Sequence, residues 1–159
     1  QSPNCLFCPL SGSCRALSEG KVQQLPVKQH RTKTTNRYFN YIYVRMGAHT
    51  LIHKRTEDDI WKNLFELPLV ETEKDLSEEE FLACPQFHAL FAEGEVRMVR
   101  TLLRGVKHVL SHRVIYTNFY EVTLPDNSSS FSSYQRVAVE DLGRYAVPRL
   151  IHAFLEKYV

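Results

Sequence analysis

Apolar and polar positions alternate most regularly from Val114 to Val122. Val114, Tyr116, Asn118, Tyr120 and Val122 fall on one face, and Ile115, Thr117, Phe119 and Glu121 on the other. That period, in β-branched and aromatic residues, predicts a long strand. It is preceded by a polar stretch that places Lys107, His108, Ser111, His112 and Arg113 within seven positions. A Ser-His pair therefore sits on a turn where a rigid element begins, and turns held by rigid elements are where recognition groups tend to lie.

The same reading gives the other elements. Residues 37–55 predict two strands around Met46-Gly47-Ala48: Tyr41–Val44 favour strand, and Gly47 supplies the turn. Residues 56–70 read as a loop that anchors Trp61, Leu64 and Phe65, followed by a short strand. Ser77 before Glu78-Glu79-Glu80 predicts a helix start, because the hydroxyl caps free N–H groups and acids suit the positive end of the dipole. Phe81, Leu82, Phe87, Leu90 and Phe91 give that helix an apolar side, Pro85 offsets it, and Gly94 ends it. Residues 95–106 read as strand or loop. Tyr134–Glu140 reads as a strand, Asp141–Tyr145 as the start of a short helix, and Pro148 opens a final helix through Lys157. The sum is about six strands and two helices, a mixed α/β (α+β) sheet domain with helices packed on it.

The first 36 residues differ in character. Residues 1–18 carry Cys5, Cys8 and Cys14 in a Cys-x2-Cys-x5-Cys spacing, among Pro3, Pro9 and Gly12. Thiolates two residues apart can share one metal centre across a compact turn. Three thiolates do not complete a four-ligand site, and loose thiols without metal are the plainer alternative. Residues 19–36 lack apolar periodicity and hold Lys21, Lys28, Arg31 and Lys33 after Glu19, so they read as a connector. Such a basic segment can run along phosphates, although on charge alone a solvated tether accounts for it.

Bulk properties set the bounds. With 159 residues there is room for one domain and an appendage. A net charge of +2 does not announce nucleic acid. No apolar run approaches the ~18 residues of a membrane span, and no signal peptide is visible. Crowded cysteines argue for metal ligation in a reducing compartment over a disulfide framework. The chain starts at Gln1, within the cysteine motif, which suggests a piece of a longer protein.

In this order, the cysteine spacing, the basic connector, Trp61–Pro68 and Leu110-Ser111-His112 resemble the C-terminal part of MutY-type adenine DNA glycosylases. The resemblance implies a [4Fe–4S] loop closing a catalytic domain, then a connector, then a Nudix-like domain that recognises 8-oxoguanine opposite adenine. Cys5, Cys8 and Cys14 match the last three of four cluster ligands; the first would precede Gln1, so the cluster is expected in the longer protein and not in this chain. Trp61, Leu64, Phe65 and Pro68 match the family's Trp–aromatic–Pro segment, with Asp59 and Lys62 where small residues are usual. Leu110-Ser111-His112 matches a Phe-Ser-His turn, with Leu110 for Phe. The implied division is 1–18, 19–36 and 37–159. The implied partners are double-stranded DNA with an 8-oxoguanine:adenine pair and the N-terminal catalytic domain. The implied setting is a bacterial cytoplasm, at the nucleoid.

The chemistry of such a turn follows from the lesion. Guanine offers N7 as an acceptor on its major-groove edge. In 8-oxoguanine N7 carries hydrogen and C8 carries oxygen, so the edge becomes donor plus acceptor. The Ser111 hydroxyl and backbone N–H can meet both, while His112, Lys107 and Leu110 complete the expected contact set. A cap for Ser111 and a backbone bond for His112 are the simpler alternative. Two rivals compete. A Nudix pyrophosphohydrolase needs a carboxylate-rich helix for Mg2+, and Ser77–Phe81 lacks its Arg-Glu and closing Gly. A zinc-binding interaction domain would use the cysteine loop. No base-excision residues are expected in this chain.

Overall fold

The computed structural model describes residues 3–27 and 34–159. The chain forms two compact units, Gln1–Lys33 and Thr34–Val159. Lys28, Arg31 and Lys33 of the expected connector lie outside the described residues.

The first unit is built from tight turns. Cys8 N–H donates to the Cys5 carbonyl at 3.3 Å, and Ser11 N–H to that of Cys8 at 3.1 Å, before one helical turn, α1 (Arg15–Ser18). Prolines and glycine leave it without a core: Leu6 and Phe7 are 92% and 84% exposed.

The second unit carries the sheets. Its strands are β1 (Thr35–Arg45), β2 (His49–Lys54), β3 (Phe65–Glu66), β4 (Leu69–Thr72), β5 (Met98–Val109), β6 (Arg113–Thr123) and β7 (Gln135–Ala138). One sheet has the order β4-β1-β6-β5 and the other β3-β2-β7. The expected turn at Gly47 forms, with Met46 and His49 exchanging backbone hydrogen bonds, but β1 and β2 then enter different sheets. β1 begins at Thr35, two residues inside the stretch read as connector, and pairs in parallel with β6 from Thr35↔Arg113.

β1 and β6 are central strands, and both faces of each are covered. On one face Phe39, Tyr41, Ile115 and Phe119 meet Ile151 and Phe154 of the terminal helix α4 (Arg149–Tyr158); the rings of Phe119 and Phe154 stack at 4.1 Å. On the other, Ile42, Val44, Tyr120 and Val122 meet Phe81 and Phe87. Those two come from separate helices, α2 (Glu78–Leu82) and α3 (Pro85–His88), because Pro85 starts a new turn after Cys84. Ser77 forms the full capping box with Glu80. The result is a mixed sheet with helices on both faces, as expected from sequence. The segment read as strand or loop is β5, a long strand with a register shift around Gly105.

Candidate nucleic-acid interface

β5 and β6 form a hairpin, and Ser111-His112 is its tip. Val109 pairs with Val114, and Leu110 N–H donates to the Arg113 carbonyl at 2.8 Å. Ser111 and His112 are exposed, so the hydroxyl and imidazole are available to a partner. Lys107 is exposed with its ammonium 5.9 Å from the Tyr116 ring centre, a cation–π contact at the long end of the useful range. Val109 is 65% exposed beside it. Leu110 differs: it is half-buried against the core, which makes it an anchor of the turn and limits its reach to a base. No acid occurs from Lys107 to Tyr120, so the segment is basic.

The turn is held from two sides. Thr35 N–H at the start of β1 donates to the His112 carbonyl at 3.2 Å. From the core side comes the loop 56–64. Its Trp61 lies 6.1 Å from Phe39 and 5.8 Å from His108, ring centre to ring centre, so this tryptophan is half-buried at the edge of the core. Trp61 and Asn63 both take left-handed backbone, with φ of 60° and 69°. Side chains tolerate that poorly, and hydrogen bonds of 2.8–3.0 Å from Asn63 and Leu64 N–H to the carbonyls of Arg55 and Trp61 hold the loop there.

The same loop brings Asp59 into a group of charges. Its carboxylate receives Arg37 at 2.5 Å, Arg113 at 2.9 Å and Arg55 at 3.3 Å. Arg37 also makes a two-pronged bond to Glu71, and Arg55 donates to both oxygens of the buried Glu66 at 2.8 Å. Glu66 in turn accepts from the Tyr41 hydroxyl at 2.9 Å. Partial burial pushes the Asp59 carboxyl up, but the Arg37 hydrogen bond, the Ile60 N–H and the charges of Arg37 and Arg113 outweigh it and hold its pKa below the ordinary value. Burial, then the Glu66 carboxylate, push the Tyr41 phenol well up. Asp59 and Arg113 were not among the expected site residues. The available signal was Asp59 itself, a charge where the resembled family has small residues.

The other candidates lie elsewhere. Cys5, Cys8 and Cys14 are half-buried and line one concavity of about 690 Å3 with Val22 and Leu25. Among the described residues no three His, Cys, Asp or Glu gather closely enough to hold a single metal ion. Cys84 belongs to the second unit, beside Tyr120 and the helices α2 and α3. His53 Nε2 faces Glu66 at 3.3 Å. Glu80 is engaged with the Ser77 N–H at 2.7 Å, and α2 is only five residues long, so the acidic run is a cap on a short helix. A cavity of about 590 Å3 lies at the far end of β6 from the turn, where Arg100 donates to the buried Glu121 at 3.1 Å.

Residues 40–157 match the NUDIX domain model, and the chain belongs to that family. Within it, the similarity runs to the MutY type. The adenine DNA glycosylase of Buchnera aphidicola subsp. Acyrthosiphon pisum (strain APS) is 24% identical over 159 residues, 98% of this chain and 43% of the relative. The chain thus spans less than half the length of the curated relatives it matches. The crystal structure of the C-terminal domain of mouse MUTYH, in complex with human PCNA, shares the fold with a TM-score of 0.58 and 15% identity, over 77% of this chain and 86% of that one. The MutT protein of Methanosarcina mazei Go1 shares it at 0.51 and 17%, over 80% and 95%. The resemblance drawn from the cysteine spacing, the Trp–Leu–Pro segment and the Leu-Ser-His turn agrees with these matches.

Proposed function

We propose that this chain is the lesion-recognition part of an adenine DNA glycosylase, reading 8-oxoguanine opposite adenine in double-stranded DNA for base excision repair. One observation carries the reading: an exposed hydroxyl and imidazole, Ser111 and His112, at the tip of a braced hairpin, in a chain similar along nearly its whole length to an adenine DNA glycosylase. Ser111 offers its N–H to O8 and its hydroxyl to N7–H, an arrangement that guanine, with an acceptor at N7, cannot match. His112 reaches the neighbouring exocyclic amine or phosphate, and Lys107 supplies a sequence-independent phosphate contact.

The excision chemistry belongs to the catalytic domain of the longer protein, which flips the target adenine into its own pocket. There, Cys5, Cys8 and Cys14 supply three of the four thiolates of a [4Fe–4S] cluster, a structural group in this reading. The setting is the bacterial cytoplasm, at the nucleoid. No helix among the described residues is long and apolar enough to cross a membrane.

A titration tests the reading. The chain is added to duplexes with one central 8-oxoguanine:adenine or guanine:adenine pair, at two salt concentrations. Affinity that falls with salt reports phosphate contacts. The lesion duplex binds more tightly, and Ser111→Ala reduces that preference by about fivefold or more, the low end of a good bidentate base contact. Equal weakening on both duplexes refutes base reading by Ser111.

A further inference from the structure

We infer that Asp59 is a positioning residue for lesion recognition: by gripping Arg113 from the core side, it sets the orientation of the Ser111-His112 turn. The inference rests on the recognition reading above and adds a residue far from the turn in sequence.

The geometry is that of a buttress. Arg113 directly follows His112, and its guanidinium meets Asp59 at 2.9 Å. Asp59 is not free to follow it, because Arg37 and Arg55 hold the same carboxylate and are themselves tied to Glu71 and Glu66. Trp61, two residues on in the same loop, rests against His108 on the strand leading into the turn. The loop therefore touches both legs of the hairpin just below its tip. The third restraint, Thr35 N–H on the His112 carbonyl, comes from β1.

A base edge is read by hydrogen bonds that tolerate only small displacements. A hairpin tip with a two-residue loop has few internal bonds of its own, and this one has the single Leu110–Arg113 backbone bond in addition to its ladder. Its precision depends on what supports it from outside. Behind Asp59, the buried Arg55 and the half-buried Arg37 each make two-pronged contacts to a carboxylate, which fix direction as well as distance, and supports of this kind decide how well a binding group is aimed. Arg113 is 38% exposed in its side chain, so one edge of it faces solvent while Asp59 holds the other.

The test is a set of variants of the whole chain titrated with the two duplexes already described. Asp59→Asn removes the charge at near-constant size. Arg113→Met removes only the outer arm and leaves Asp59 on Arg37 and Arg55, so it decides the question if Asp59→Asn does not fold. Folding is checked by cooperative thermal unfolding. Each variant is expected to cut the preference for the 8-oxoguanine duplex by about fivefold or more, with Arg113→Lys recovering part of it. In a Ser111→Ala background, Asp59→Asn is expected to cause no further loss of preference, since both act on one contact. Folded Asp59→Asn and Arg113→Met chains that keep the full preference overturn the inference while Ser111→Ala still upholds the recognition reading. So does a loss that is equal on both duplexes, or one that adds to that of Ser111→Ala. An unsubstituted chain that binds both duplexes alike overturns the recognition reading and this inference with it.

Discussion

Glu78, Glu79 and Glu80 open α2 in solvent, whereas Asp59 and Glu66 lie among Arg37, Arg55 and Arg113 at the edge of the core. The first group is dense in sequence and sparse in contacts: Glu80 makes the capping box and meets Lys74 at 3.5 Å on the surface. The second is dispersed over 77 positions, from Arg37 to Arg113, and every member touches another. Acids crowded along a chain repel one another and remain hydrated. Acids gathered by folding bring counter-charges with them, and only these acquire a fixed direction. This is why the acidic run, which invites a metal-binding reading, serves as a helix cap, while two isolated acids support the candidate interface.

The sharpest way to break the comparison is Glu66→Gln. It removes the buried charge that faces Arg55 and leaves a single carbonyl oxygen where Arg55 and the Tyr41 hydroxyl now share two carboxylate oxygens. A loss of about 3–5 kcal/mol is expected, as for other broken buried pairs, read as a lower urea midpoint at unchanged slope. Ser77→Ala in the solvent-facing group should cost about 1 kcal/mol, because only the cap is lost.

Glu95 sharpens the contrast from a third direction. It is surface-placed, yet hydrogen bonds from Ser128 and Ser130 hydroxyls and the Ser129 N–H hold its carboxyl down to about 2. A carboxyl lowered on folding contributes stability above its unfolded value, and that contribution disappears as pH falls through the folded one. The stability difference between the unsubstituted chain and Glu95→Gln should therefore be full at neutral pH, shrink below about 4.5 and vanish near 2, in thermal unfolding across that range. The smallest effect belongs to Glu79→Gln. It removes an exposed charge with no side-chain hydrogen-bond partner, and should fall within about 0.5 kcal/mol.

The strands with strict alternation and the terminal helix behind Pro148 were readable because each is specified locally. β5 was not, since Gly105 breaks its period. There the Gly105 N–H leaves the ladder for the Asn118 side chain, at 2.9 Å, and the register shifts. The helices α2 and α3 read as one offset helix because their apolar residues face a single cluster across the Cys84–Pro85 break. For the candidate site, Ser111 and His112 were visible as a turn. Their support was not, because it depends on the parallel pairing of β1 with β6. That pairing sets Arg37 opposite Ile115, two residues from Arg113, and long-range pairing of this kind leaves no periodic trace. The departure at Asp59 was visible, but its meaning emerged only with its three arginines.

β1 has one more property. Its first paired residue, Thr35, donates its N–H to the carbonyl of His112. The start of the larger unit's first strand is therefore also a point of attachment for the tip of the β5–β6 hairpin. Whatever fixes the first residue of β1 also fixes the hairpin tip.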